Sequence, residues 1–146
     1  MSYTFTTEEF QRLDDKQKDA VLDVIIAGCL ADGQLVDAEV SRFDSEIRKV
    51  PWGHSEAEMD AKIKASFEKI NGFTDPQQAI DLVKSAAAAL TDPTIREKTF
   101  HLLATVMYAD NKMTQNEKTV LTAFAVAFQI PVPKLAEISQ AVKKGS

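Results

Sequence analysis

The sequence predicts an all-α fold, a compact bundle of about seven to eight helices, on three observations. No segment alternates apolar and polar residues with a period of two for long. The β-branched residues fall at helical spacing, as at Val21, Val24 and Ile25 beside Gly28. Helix starts are marked by hydroxyl or carboxylate caps at fixed distances from Glu, Gln or Pro.

The elements follow in chain order. Thr6 with Glu9 forms a capping box, so a first helix is predicted over about 7–13. Asp14 with Gln17 has the same spacing and starts a second helix over 15–32, ended at Asp32-Gly33. A third covers 37–50, with the stripe Phe43, Ile47 and Val50, and stops at Pro51. Ser55 with Glu58 opens a fourth over 56–71, closed by Asn71-Gly72. Asp75-Pro76 and Asp92-Pro93 place a capping Asp before a proline whose missing amide needed no partner, starting helices over 76–90 and 93–110. Ala86 to Ala89 is a strong helix former. Thr114 with Glu117 opens a seventh helix over 115–129, striped by Phe124 and Phe128 and stopped at Ile130-Pro131, and an eighth covers 133–144.

Two of these helices are central. Val24 to Ala31 is apolar on every side and Leu102 to Ala109 nearly so, which predicts residues 21–31 and 99–109 as buried helices in mutual contact.

With 146 residues and 16.1 kDa, the chain predicts a single domain able to bury a core. The single cysteine, Cys29, excludes an intramolecular disulfide framework and a cysteine-built zinc site, and its mid-helix apolar setting predicts an inert buried thiol. A net charge of −5 argues against a general nucleic-acid binder, since phosphate contacts need a basic surface. That charge is uneven: −8 over residues 1–60 and +3 over 61–146. This fits either solvated helix faces or an acidic face meeting a cation or basic partner. The N-terminus lacks the basic start and apolar stretch of a signal peptide, and Val24 to Ala31 falls far short of the ~20 residues of a membrane span. A soluble, cytoplasmic protein without a membrane span is expected, able to dock on a membrane partner.

The central helices share their context. VIIAGCLADGQLVDAEVSRF and LLATVMYADNKMTQNEKTVL align at an offset of 78 residues, pairing Asp32 with Asp110, Leu35 with Met113, Glu39 with Glu117 and Phe43 with Leu121. The unit is a buried helix, a tight Asp-Gly or Asp-Asn turn, and an amphipathic helix, with copies over about 20–50 and 98–128. Gly33 and Asn111 stand where a left-handed, helix-ending residue belongs. Two copies predict pseudo-two-fold packing.

These residues resemble the TerB-like tellurite-resistance family, marked by a doubled pattern of apolar helix, (A/S)-D-G-x-(I/V/L)-x-x-x-E and amphipathic helix. The first copy is Ala31-Asp32-Gly33-Gln34-Leu35 through Glu39, the second Ala109-Asp110-Asn111-Lys112-Met113 through Glu117. TAFAVAFQIP at 122–131 is similar to the family's second-repeat helix and its exit. The resemblance covers about residues 20–144. It implies an all-helical fold, association with tellurite resistance and stress responses, metal binding by acidic residues around the turns, and work in complexes, some at the inner membrane face. The second copy departs from the pattern: Asn111 replaces Gly, and Thr114, Gln115 and Asn116 stand where relatives carry acidic residues.

The string at 32–39 resembles the second half of an EF-hand loop, but the required earlier oxygen ligands would be Gly28 and Leu30, or Val106 and Tyr108, and none has a carboxylate. A divalent-metal site between copies would draw on Asp32, Asp37, Glu39, Asp110 and Glu117, since hard cations take several oxygens. Alternatively Asp32 and Asp110 bind turn amides while Glu39 and Glu117 cap helices, a bare dipole preference also accounting for Glu39. Thr114 is a capping partner for Glu117, whereas its equivalent, Val36, cannot cap. His54 and His101 have no ligand spacing and are expected to be solvated or locally bonded; Trp52 is expected to cap the bundle end. No Ser-His-Asp order, glycine-rich phosphate loop or zinc signature is present. The function expected is a non-enzymatic module acting through protein partners, with a divalent metal as the only candidate cofactor. The alternatives are a purely structural interaction domain without metal, or an enzyme using paired carboxylates.

Overall fold

Eight helices follow one another in a computed structural model that describes residues 3–30, 37–108 and 115–143, apart from the side chains of 37–39, 76, 116 and 117. They are α1 (Thr7–Gln11), α2 (Asp15–Leu30), α3 (Asp37–Lys49), α4 (Glu56–Asn71), α5 (Pro76–Ala89), α6 (Pro93–Met107), α7 (Gln115–Ala127) and α8 (Val132–Lys143). No strand occurs among the described residues. The all-α expectation holds.

The caps explain why these boundaries are sharp. Thr6 and Glu9 satisfy each other's amides, as do Ser55 and Glu58. The Ser55 amide and hydroxyl hold the Glu58 carboxyl below the usual carboxylate range. Asp14 and Gln17 exchange the same pair of bonds at 2.8 and 3.0 Å. Asp75 accepts from the Gln77 amide while Gln78 reaches back to the Asp75 amide, and Asp92 accepts from the Thr94 amide.

The end of α7 departs from the sequence expectation of 115–129. The helix stops at Ala127, and Gln129 takes a left-handed backbone with φ of 60°. Ile130 N donates to Ala125 O and Gln129 N to Val126 O, the paired bonds of a Schellman turn. Glycine normally fills that position, so nothing in the local composition announces the turn. A Cβ there costs about 1 kcal/mol. Gln129→Gly is expected to raise stability by about that amount. The hydrogen bond it removes, Arg96 Nη1 to Gln129 Oε1 at 3.4 Å, is exposed and weak. Chemical denaturation measures the change; a variant less stable than the parent would show that the Arg96 bond outweighs the strain.

One core cluster runs through the bundle, with α2 and α6 at its centre. On α2, Val21, Leu22, Val24, Ile25, Ile26, Ala27, Gly28 and Cys29 are all buried. On α6, Ile95, Thr99, Phe100, Leu102, Leu103, Ala104, Val106 and Met107 are buried. The two helices contact each other, as predicted. They touch where Gly28 faces the Leu103 side chain, and no room for a Cβ remains between them. The buried Thr99 hydroxyl is satisfied by Ile95 O at 2.7 Å.

The offset of 78 residues carries over to the element bounds. Shifted by it, α3 becomes 115–127, the span of α7, and α2 matches α6 to within one residue. The packing partners exchange likewise: α2 packs on α4 and α7, and α6 packs on α8 and α3. α5 adds a further wall, lying on both α2 and α7.

Candidate functional site

The two acidic segments of the repeat lie between α2 and α3 and between α6 and α7. Asp32 and Asp110 lie outside the described residues. Asp37 and Glu39 fall at the first and third positions of α3, and Glu117 at the third position of α7; their side chains also lie outside the described residues. Glu39 and Glu117 thus occupy matching positions in the first turn of two equivalent helices. Among the described residues, no three His, Cys, Asp or Glu side chains group to hold an ion.

Several polar contacts that sequence reasoning missed tie the helices together. Asp23, midway along buried α2, accepts from Ser66 Oγ at 2.5 Å and Lys69 Nζ at 2.6 Å, and Asp19 pairs with Lys62 at 2.9 Å. These groups make a polar seam along the α2–α4 contact. Its sequence signal is the match between 19, 23 on one helix and 62, 66, 69 on the other, visible only once the helices are known to pair. Lys98 of α6 reaches Glu9 of α1 at 2.5 Å, both largely shielded from solvent. Arg96 serves the exposed carbonyl end of α5: its Nη2 donates to Ala87 O at 2.5 Å and its Nε to Leu90 O at 2.6 Å. Gln17 Nε2 adds a bond to Ala89 O at 3.1 Å. These donors answer carbonyls that have no partner further along the helix. On the outer face, Arg48 meets Asp44, Glu56 and Asp60, and Asp44 first among them raises its pKa further above the ordinary guanidinium value.

Trp52 is the expected cap. It is buried, its Nε1 donates to Ile47 O at 2.8 Å, and Phe10 meets it edge-on at 4.9 Å. Cys29 is buried in α2. Neither histidine is fully exposed. His101 is half-buried and stacks on Tyr3 with ring centroids 4.7 Å apart. His54 is also half-buried, and its Nε2 has no hydrogen-bond partner among the described residues.

A cleft lies where α3 crosses α6. Its walls carry Arg42, Glu46 and Lys49 from α3, His101 and Thr105 from α6, and Tyr108 just beyond it. Glu46 stands between its two cationic neighbours, 3.9 Å from Arg42 and 3.4 Å from Lys49. No helix among the described residues is long and apolar enough to cross a membrane.

The family model described as Tellurite resistance protein TerB matches residues 19–140. The chain belongs to the TerB family. The match takes in most of α2 through most of α8, and with them both acidic segments and the α3–α6 crossing. TerB membership makes this a tellurite-resistance-related module. Neither a curated protein nor a solved structure gives a significant match to the chain.

Proposed function

We propose that this TerB-family chain is a non-enzymatic module of tellurite resistance and related stress responses that works through protein partners. Its contact patch is the pair of acidic turns, where Asp32, Asp37, Glu39, Asp110 and Glu117 take a hard divalent cation or meet a basic surface. The observation that carries this reading is positional: Glu39 and Glu117 hold the same place in two helices whose other residues have diverged. Packing accounts for the apolar residues retained at both turns but does not call for the carboxylates. A cytoplasmic module of this kind reaches the inner membrane face through a partner.

Capping is the competing account, favoured at one copy by Thr114 beside Glu117; Val36 removes it at the other. Glutamine still bonds a backbone amide but is a poor ligand for a hard cation. Glu39→Gln and Glu117→Gln are therefore expected to leave the melting temperature nearly unchanged without ions and to abolish binding in calorimetric titrations with Ca²⁺, Mg²⁺, Mn²⁺ and Zn²⁺. A parent chain that shows no heat of binding and no ion-dependent rise in melting temperature sinks the cation. Capture of a partner by the parent but not by the Gln variants would then assign the turns to a protein surface.

A further inference from the structure

The cleft between α3 and α6, about 240 Å³ in volume, has a charge pattern at odds with the rest of the chain. Among the described residues, Arg42, Lys49 and Lys143 line it against a single carboxylate, Glu46, although the chain carries a net −5 and its first 60 residues −8. Glu46 lies within ion-pair distance of Arg42 and Lys49 together, so one negative charge is shared between two positive ones. The excess is positive, in a partly enclosed space where charge counts for more than on an open surface.

The internal repeat shows that the opening is not what this helix crossing must look like. At the offset of 78, Arg42, Glu46, Lys49 and Val50 correspond to Val120, Phe124, Ala127 and Phe128. Phe124, Ala127 and Phe128 are buried, and so are Val24 and Ala27, the counterparts of Leu102 and Thr105. The α2–α7 crossing is filled with hydrocarbon. The α3–α6 crossing has charged side chains at the same positions, and the space that a phenylalanine would fill at the Glu46 position is a cleft. Core packing alone favours the filled version.

The remaining walls specify the ligand further. Phe5, Val50, Leu102 and Val142 present hydrocarbon, and the Tyr3–His101 stack, with ring planes 12° apart, forms one side. We propose that this cleft binds a small organic anion, with a phosphate or carboxylate head held by Arg42, Lys49 and Lys143 and a short apolar body along Val50, Leu102 and Val142. Arg42 and Lys49 remain 43% and 67% exposed. They act as a rim clamp over an apolar floor, so affinity depends on both parts of the ligand.

The test is an amide chemical-shift titration of the full chain with hexyl phosphate, hexanoate, inorganic phosphate and hexanol. Saturable shifts are expected at residues 3–5, 42–50 and 102–108 with hexyl phosphate or hexanoate. Inorganic phosphate should bind roughly tenfold more weakly, lacking the apolar body, and hexanol should not saturate. The two head groups are separated by comparing hexyl phosphate with hexanoate, and tight binding of either supports the site. Arg42→Gln with Lys49→Gln should weaken binding about tenfold. Glu46→Gln should tighten it, a change of sign that loss of structure does not mimic. Equal binding of hexanol, shifts centred elsewhere, or a double variant that binds like the parent overturns the proposal.

Discussion

Gly28→Val is expected to destabilise the chain by about 3 kcal/mol, roughly 10 °C in melting temperature. Gly28 sits on α2 against Leu103, and Leu103 is itself fully buried, so the side chain that a new Cβ meets must shift within a packed core. Gly28→Ala separates two opposing effects. Alanine improves helix propensity by about 1 kcal/mol, whereas overpacking costs about 1–3 kcal/mol. Packing is expected to win, giving a net destabilisation. The crossing is then relieved by Leu103→Ala: the double variant Gly28→Val, Leu103→Ala should be destabilised by less than the sum of its parts. A Gly28→Val chain that melts with the parent would mean that α2 and α6 lie further apart than described.

Phe128→Ala should cost about 3–5 kcal/mol. Phe128 is fully buried where the chain turns out of α7, and Phe124 lies one turn earlier, equally shielded. The control is two residues away: Val126, on α7 itself, is 73% exposed, and Val126→Ala should change stability by less than about 0.5 kcal/mol. Urea unfolding of both variants measures the contrast. A cost below about 1.5 kcal/mol for Phe128→Ala would show that the surrounding side chains collapse into the cavity.

The helices are legible in the sequence because their starts are chemical. Thr6, Ser55, Asp75 and Asp92 cap as their spacing predicts, and each boundary they define is met in the structure. The burial of α2 and α6 is legible because no polar face interrupts them over Val24 to Leu30 or Leu102 to Met107, Thr105 aside. The end of α7 is not, because Gln129 adopts a backbone that glycine usually advertises. The Asp23–Ser66–Lys69 seam and the Arg96 bonds to α5 are hidden for a different reason. They depend on which helices become neighbours, and no local spacing records that. Of the candidate site, Asp37, Glu39 and Glu117 fall at the helix starts expected of them, and Asp32 and Asp110 lie outside the described residues. The α3–α6 cleft has a sequence signal too, in Arg42 and Glu46 opposite Val120 and Phe124 of the aligned copies. That signal reads as an ordinary solvated helix face until α3 is seen lying against α6.

The all-round burial of α2 has a consequence for how the chain comes into being. α2 leaves the ribosome before the helices that cover it, α5, α6 and α7 among them. Until residues past about 127 have left the ribosome, the run from Val21 to Cys29 has no complete set of neighbours. At the usual pace of about 5–20 residues per second, that leaves this apolar run uncovered for several seconds. The nascent chain must carry its future core as an exposed sticky segment, and neither half can complete its fold before the other arrives.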